Sequence, residues 1–129
     1  MTRARTDEIP HATAAGVAVG RGRHGRGVFA TRRFAEGESV EVCPTLQVPD
    51  SDVSGTLGDY VFGSFDDGEV VLLLGFGMLY NHSPSPNLEY FQDDPEMITF
   101  VATRAIKRGE ELTIDYGAEW WEQRGLEPD

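Results

Sequence analysis

The sequence predicts a mainly β domain built of short strands, and three observations predict it. Apolar and polar residues alternate over short runs, the pattern of strands with one buried face. Glycine-rich turns separate those runs, and no segment holds an amphipathic helical pattern beyond two turns. One pattern occurs twice: "ATRRFAEGESV" (Ala30–Val40) and "ATRAIKRGEEL" (Ala102–Leu112) share A-T-R-x-apolar-x-x-G-E-x-apolar.

In chain order, residues 1–15 are polar and aperiodic, which predicts a loose tail. Val17 and Val19 open the first strand; "GRGRHGRG" is expected to turn, and "VFA" to resume. "ESVEV" alternates Val40 and Val42 against Ser39 and Glu41, and "EVVLLL" is a short apolar run. "MITFVA" puts Met97, Thr99 and Val101 on one face and Ile98, Phe100 and Ala102 on the other. "ELTIDY" sets Leu112, Ile114 and Tyr116 against Thr113 and Asp115. "TLGDYVFGSF" and "AEWWEQRG" are each compatible with a short helix. The repeat predicts two similar hairpin-like units, with Gly37 and Gly109 supplying turn angles that a Cβ resists. The organisation expected is a tail over 1–15, a domain over 16–121 and a second tail over 122–129.

A chain of 129 residues buries a real core without disulfides. Its single cysteine, Cys43, excludes an internal disulfide and a multi-cysteine zinc site, and no metal is expected. No apolar run approaches the roughly 18 residues of a membrane span, and the N-terminus lacks the apolar middle of a secretory signal. An intracellular protein is expected, cytoplasmic, or nuclear in a eukaryotic or viral setting. The formal net charge of −11 opposes general nucleic-acid affinity and suits a cationic partner.

Several groups could carry chemistry. Gly25 and Gly27, flanking Arg26, would let backbone approach a ligand just before a strand, although such a pair is also an ordinary turn. "GRGRHGRG" has the look of an arginine-glycine nucleic-acid arm, which the acidic total opposes. In "NHSPSPN", Asn81-His82-Ser83 is either a polar turn locked by Pro84 and Pro86 or a binding element. Tyr60, Tyr116, Trp120 and Trp121, taken singly, are packing aromatics.

Taken together, G-x-G-V-F-A, G-E-x-V-E, N-H-S-x-x-P-N and G-E-E-L-T-I-D-Y-G make a specific combination. Over about Val17 to Trp121 the chain resembles the SET-domain protein lysine methyltransferases, in their compact stand-alone form. The resemblance implies a β-clip-like fold of short curved sheets with a knot-like threaded C-terminal segment. It implies S-adenosyl-L-methionine as cofactor, wrapped at its methionine part by Gly25, Arg26 and Gly27. Asn81 and His82 match the pair that binds the cofactor's amino group and adenine. Tyr116 matches the catalytic tyrosine. Tyr60 and Ile114 fall on the lysine channel, and Trp120 and Trp121 where C-terminal aromatics close the site over channel and cofactor. A basic protein or peptide is the implied substrate, without direct nucleic-acid or membrane binding, and a homodimer is compatible with so short a chain.

The sequence also departs from the family's pattern. Met78-Leu79-Tyr80 replace the usual Arg-Phe-x before Asn-His-Ser, and Pro84 replaces a frequent cysteine. No cysteine cluster follows Tyr116, and the insert between Cys43 and Val70 is short. A catalytically weak relative that binds peptide or cofactor is the alternative reading. Ile114, where the family often has Phe or Tyr, has no hydroxyl to restrain the amine. Di- or trimethyl-lysine is therefore the product expected.

Overall fold

The computed structural model describes residues 15–64, 67–94, 96–117, 120, 121 and 125. In chain order the strands are β1 (Val17–Gly22), β2 (Gly25–Ala30), β3 (Ser39–Pro49), β4 (Phe62–Gly63), β5 (Glu69–Leu73), β6 (Asn81–His82), β7 (Leu88–Asp94), β8 (Met97–Ala102) and β9 (Glu111–Ile114). They form a four-stranded sheet ordered β1-β2-β9-β6 and a five-stranded sheet ordered β4-β5-β3-β8-β7. The mainly β expectation is met. Of the two stretches compatible with a helix, "TLGDYVFGSF" holds the end of a 3-10 turn over Gly55–Asp59 and the short strand β4, with no α-helix among its described residues. In "AEWWEQRG", Trp120 and Trp121 are helical, Gly125 is a turn, and the rest lies outside the described residues. So do the expected tails, apart from Ala15 and Gly125.

The glycine-rich run corrects the reading of "GRGRHGRG" as a turn. Gly20 pairs with Gly27, Arg21 with Arg26 and Gly22 with Gly25, so only Arg23 and His24 lie between the strands. The Phe29 ring explains the glycines of β1. A Cβ on Gly20 would come within 3.2 Å of that ring, and one on Gly22 within 2.7 Å. Strand β3 is longer than "ESVEV". Ser39–Pro44 pair with β8 and Thr45–Pro49 with β5, so one strand serves two neighbours in succession.

The two repeat copies do not stand as separate hairpins; they pair with each other. Phe34 N–H donates to Ile106 O (3.0 Å) and Ile106 N–H to Phe34 O (2.9 Å). Gly37 N–H donates to Ala102 O (2.7 Å), while Gly109 N–H donates to Ala30 O (2.8 Å). Arg32–Glu38 and Arg104–Glu110 repeat as ion pairs. Each copy's glycine turn, at φ +83° and +91°, satisfies the backbone where the other copy's strand ends. Phe34 and Ile106 bury in the same core as Val28, Phe100 and Leu112, each contributing about 1.5–3 kcal/mol. The core thus lies where the two sheets meet, and it fixes β9 beneath the site.

Candidate active site

Strand β6 is two residues long and parallel to β9, with Asn81 opposite Thr113 and His82 opposite Ile114. Its backbone is held further by Ser83 N–H donating to Ile114 O at 2.9 Å. The second asparagine of "NHSPSPN" does as much. Asn87 is 2% exposed; its Nδ2 donates to Glu111 O (2.9 Å), and its Oδ1 accepts from Thr113 N–H (2.8 Å). One carboxamide therefore bridges two residues of β9 and satisfies backbone groups that the short β6 cannot reach.

Asn81 uses its amide differently. Its Nδ2 donates to Arg26 O at 2.9 Å and to Glu111 Oε2 at 2.7 Å. This ties β6 to the β1–β2 hairpin and explains Gly27. A Cβ there would lie 2.4 Å from Glu111 Oε2 and 2.9 Å from Asn81 Nδ2. Gly25 does a different job: its φ is +85°, and a Cβ would meet nothing within 4 Å. The two glycines expected to act as a pair thus divide into one for turn conformation and one for close approach.

Around Tyr116 the aromatic rings gather. His82 lies 5.2 Å from it, Trp120 4.8 Å and Trp121 6.1 Å between centroids, with Trp121 nearly parallel to Tyr116 at 23°. Trp120 also donates from Nε1 to Asp59 O at 3.3 Å. His82 Nδ1 accepts from Tyr116 N–H at 3.1 Å. Asp115 Oδ1, at 3.7 Å from the same nitrogen, is too far for a hydrogen bond and accepts from Gly117 N–H instead. The Tyr116 hydroxyl donates to Tyr80 O at 3.0 Å. Burial first, then the nearby Tyr60 and Glu111, push its phenol above the ordinary value. Tyr116 is therefore a neutral donor with a fixed direction and not a base.

Two cavities meet at this tyrosine. One, of about 370 Å³, is walled by Phe62, Tyr80, Tyr90, Ile114 and Trp120. The other, of about 380 Å³, is walled by Arg21, His24, Arg26, Leu79 and Asn81. Tyr60, Met78 and Tyr116 line both. One side is aromatic and the other cationic and amide-bearing, and those three side chains are common to both. The expected channel residues Tyr60, Ile114, Tyr116 and Trp120 all line the aromatic cavity, and the expected Arg26 and Asn81 line the cationic one. Gly25 and Gly27 shape the hairpin beside the second cavity, and His82 and Trp121 pack behind Tyr116.

Sequence reading missed Arg21, Phe62, Tyr80, Tyr90, Glu111 and Asn87. Tyr90 had a signal: "NLEYF" alternates, with Leu88 buried and Tyr90 facing Phe62 and Phe100. Two prolines just before it masked the strand.

The cationic cavity suits the implied cofactor. Arg21 and Arg26 offer charge for a carboxylate. His82 Nε2 and Trp121 Nε1 are buried nitrogens that have no partner among the described residues. With Nδ1 accepting, His82 Nε2 carries the proton, so both are unused donors; they lie beside Tyr116 and not in the lining of the cationic cavity. Among the described residues no group of three or more His, Cys, Asp or Glu is gathered to hold a metal.

Residues 25–117 match the SET domain family. A histone-lysine N-methyltransferase of Schizosaccharomyces pombe, specific for lysine 37 of histone H3, is 31% identical over 105 residues, covering 77% of this chain and 71% of that protein. A crystal structure from Plasmodium falciparum, described as a "putative histone methyltransferase", is similar with a TM-score of 0.70 at 29% identity, covering 82% of this chain and 96% of that one.

Proposed function

The chain belongs to the SET-domain family, and from that premise we propose that it is a protein-lysine N-methyltransferase that uses S-adenosyl-L-methionine and acts on a basic, histone-like protein. The observation that carries this reading is the partition of Tyr60, Met78 and Tyr116 between a cationic cavity and an aromatic one. A methyl donor held on one side and an amine on the other would face each other across it. Arg21, Arg26, Asn81, His82 and Trp121 would hold the cofactor, which supplies an electrophilic methyl carbon on a sulfonium.

The chain must present the lysine as a neutral amine. At pH 8 a free lysine, with a pKa of about 10.4, is only about 0.4% neutral. The aromatic cavity disfavours the ammonium form by desolvation. A depression of about two units would raise the neutral fraction to roughly 30%. Tyr116 does not take the proton, because its phenol is held above the ordinary value. Its hydroxyl and the Tyr80 carbonyl instead set a polar edge in an apolar cavity, and alignment supplies the rest of the rate.

Ile114 is 3% exposed and lines the same cavity without a hydroxyl. The amine is then free to turn after one transfer, and di- and trimethyl-lysine follow. The test is incubation with methyl-labelled cofactor and a panel of histones and other basic proteins, with a chelator present. Label on lysine is expected. Cofactor binding with no label on any basic protein would overturn the reading in favour of a binding module.

A further inference from the structure

Glu41 lies in the hydrophobic core at 1% exposure. It belongs to the G-E-x-V-E element, to which the proposed mechanism assigns no role. Its Oε1 accepts from the Tyr80 hydroxyl at 2.5 Å and its Oε2 from Phe76 N–H at 2.8 Å. Among the described residues no cation pairs with it. A buried carboxylate without a counter-charge is costly, and an apolar side chain of similar size would often stabilise the core as well or better. Stability alone therefore does not account for it.

What Glu41 holds is the segment "GFGMLY", which carries Gly77, Met78 and Tyr80 to the cavity walls. The segment lies tight against β3 and β5. A Cβ on Gly75 would sit 2.6 Å from Glu41 Oε2, and one on Gly77 2.5 Å from Leu73 Cδ2 and 2.9 Å from Cys43 Sγ. Tyr80 is thus gripped at both ends: its hydroxyl by Glu41, and its carbonyl oxygen by the Tyr116 hydroxyl at 3.0 Å. Burial and the Glu41 charge push the Tyr80 phenol up, so it stays a donor.

We propose that Glu41 is a positioning residue for methyl transfer: by clamping the Tyr80 ring it fixes the carbonyl that aims the Tyr116 hydroxyl into the channel. The proposal rests on the methyltransferase reading for its kinetic consequence, but the geometry it describes does not. Loosening the clamp lets the Tyr80 carbonyl shift and Tyr116 with it. The cofactor cavity shares Met78, Leu79 and Tyr116 with the parts that would shift, but Arg21, His24, Arg26 and Asn81 lie outside the clamped segment, so cofactor binding should change less than turnover.

The experiment compares Tyr80→Phe, Glu41→Gln, Tyr116→Phe and the double variant Tyr80→Phe/Tyr116→Phe. Glu41→Gln keeps the side chain's shape and one of its two acceptor oxygens, and it is the second variant should Tyr80→Phe not fold. The expected result for Tyr80→Phe and Glu41→Gln is a kcat lower by on the order of tenfold, with cofactor Kd and peptide KM within about twofold. In the Tyr116→Phe background, Tyr80→Phe should add less than about twofold, because the bond it acts through is already gone. A kcat per folded molecule near that of the parent, or effects that multiply in the double variant, would overturn the proposal and leave Glu41 a packing residue.

A second readout needs no turnover. With tyrosine labelled at 13Cζ, the Tyr116 resonance, assigned from Tyr116→Phe, should move in both Tyr80→Phe and Glu41→Gln. An unmoved resonance sinks the positioning role even in a protein that methylates nothing. Conversely, a parent that methylates nothing while the resonance moves sinks the functional reading alone.

Discussion

The role proposed for Tyr116 rests on one oxygen. That oxygen has a defined acceptor in Tyr80 O, while its ring is fixed by His82, Trp120 and Trp121. Tyr116→Phe should therefore fold and bind cofactor like the parent but transfer methyl groups at least about tenfold more slowly. Single-turnover kinetics checks this, and activity within twofold of the parent refutes the role. Ile114 carries a separate prediction: mass spectrometry of the product over time, with cofactor in excess, should show di- and trimethyl-lysine. A reaction that stops at one methyl would show that Ile114 does not set the limit. The tyrosines also predict a pH response. Burial raises the phenols of Tyr80 and Tyr116 and the Cys43 thiol, while Tyr90, which is 40% exposed, is raised by partial desolvation and by Asp115 and contributes less. A raised folded value means that the stabilisation is complete below the unfolded value and is lost as pH rises through the folded one. Melting temperature should therefore fall from about pH 8.5 upward, where unfolded thiols ionise, and more steeply above about pH 10, where unfolded phenols do. A melting temperature unchanged up to pH 11 would contradict the burial of these groups.

At the scale of elements, the β1–β2 hairpin separates two kinds of glycine. Gly25→Ala strains a residue at φ +85° but meets no neighbour, so it should cost on the order of 1 kcal/mol and leave cofactor affinity nearly unchanged. Gly27→Ala drives a Cβ into Glu111 Oε2 and Asn81 Nδ2, so it should break the Asn81–Arg26 tie and abolish cofactor binding. Calorimetry of the two variants side by side decides between these jobs, and equal losses of affinity would show that the distinction is wrong. That glycines matter here was legible in the sequence. Which one makes room was not, because the group it makes room for comes from Glu111, far along the chain. The repeat behaved likewise. Its two copies were plain in the sequence, but their pairing was hidden, because an antiparallel bridge between Phe34 and Ile106 leaves no mark on local alternation.

At the scale of the whole molecule, the charge of −11 finds a local expression at the aromatic cavity. Asp59 lines it, and Asp115 lies close enough to Tyr90 to raise its phenol. Under the proposed function, both would attract positive residues flanking a substrate lysine. Peptide KM should rise with salt between about 50 and 300 mM, because exposed charges are screened beyond roughly 10 Å at 0.1 M. Cofactor Kd, set inside a cavity, should change less. A peptide KM indifferent to salt would remove the acidic mouth from substrate choice.

The amino-acid sequence by itself determined the strand-rich class, the two repeat copies and the identity of the tyrosine, asparagine and histidine at the site. Each of these is written in short-range pattern or in a specific residue combination. Only the tertiary structure decided which surfaces those residues share. Phe62, Tyr80 and Tyr90 became walls of the aromatic cavity, and Glu41 became a clamp, because β3 pairs with β8 and β6 with β9, segments distant in the chain, and one core joins the two sheets. Those pairings are selected by burial of a common core, a property of the folded whole, so no window of sequence contains them.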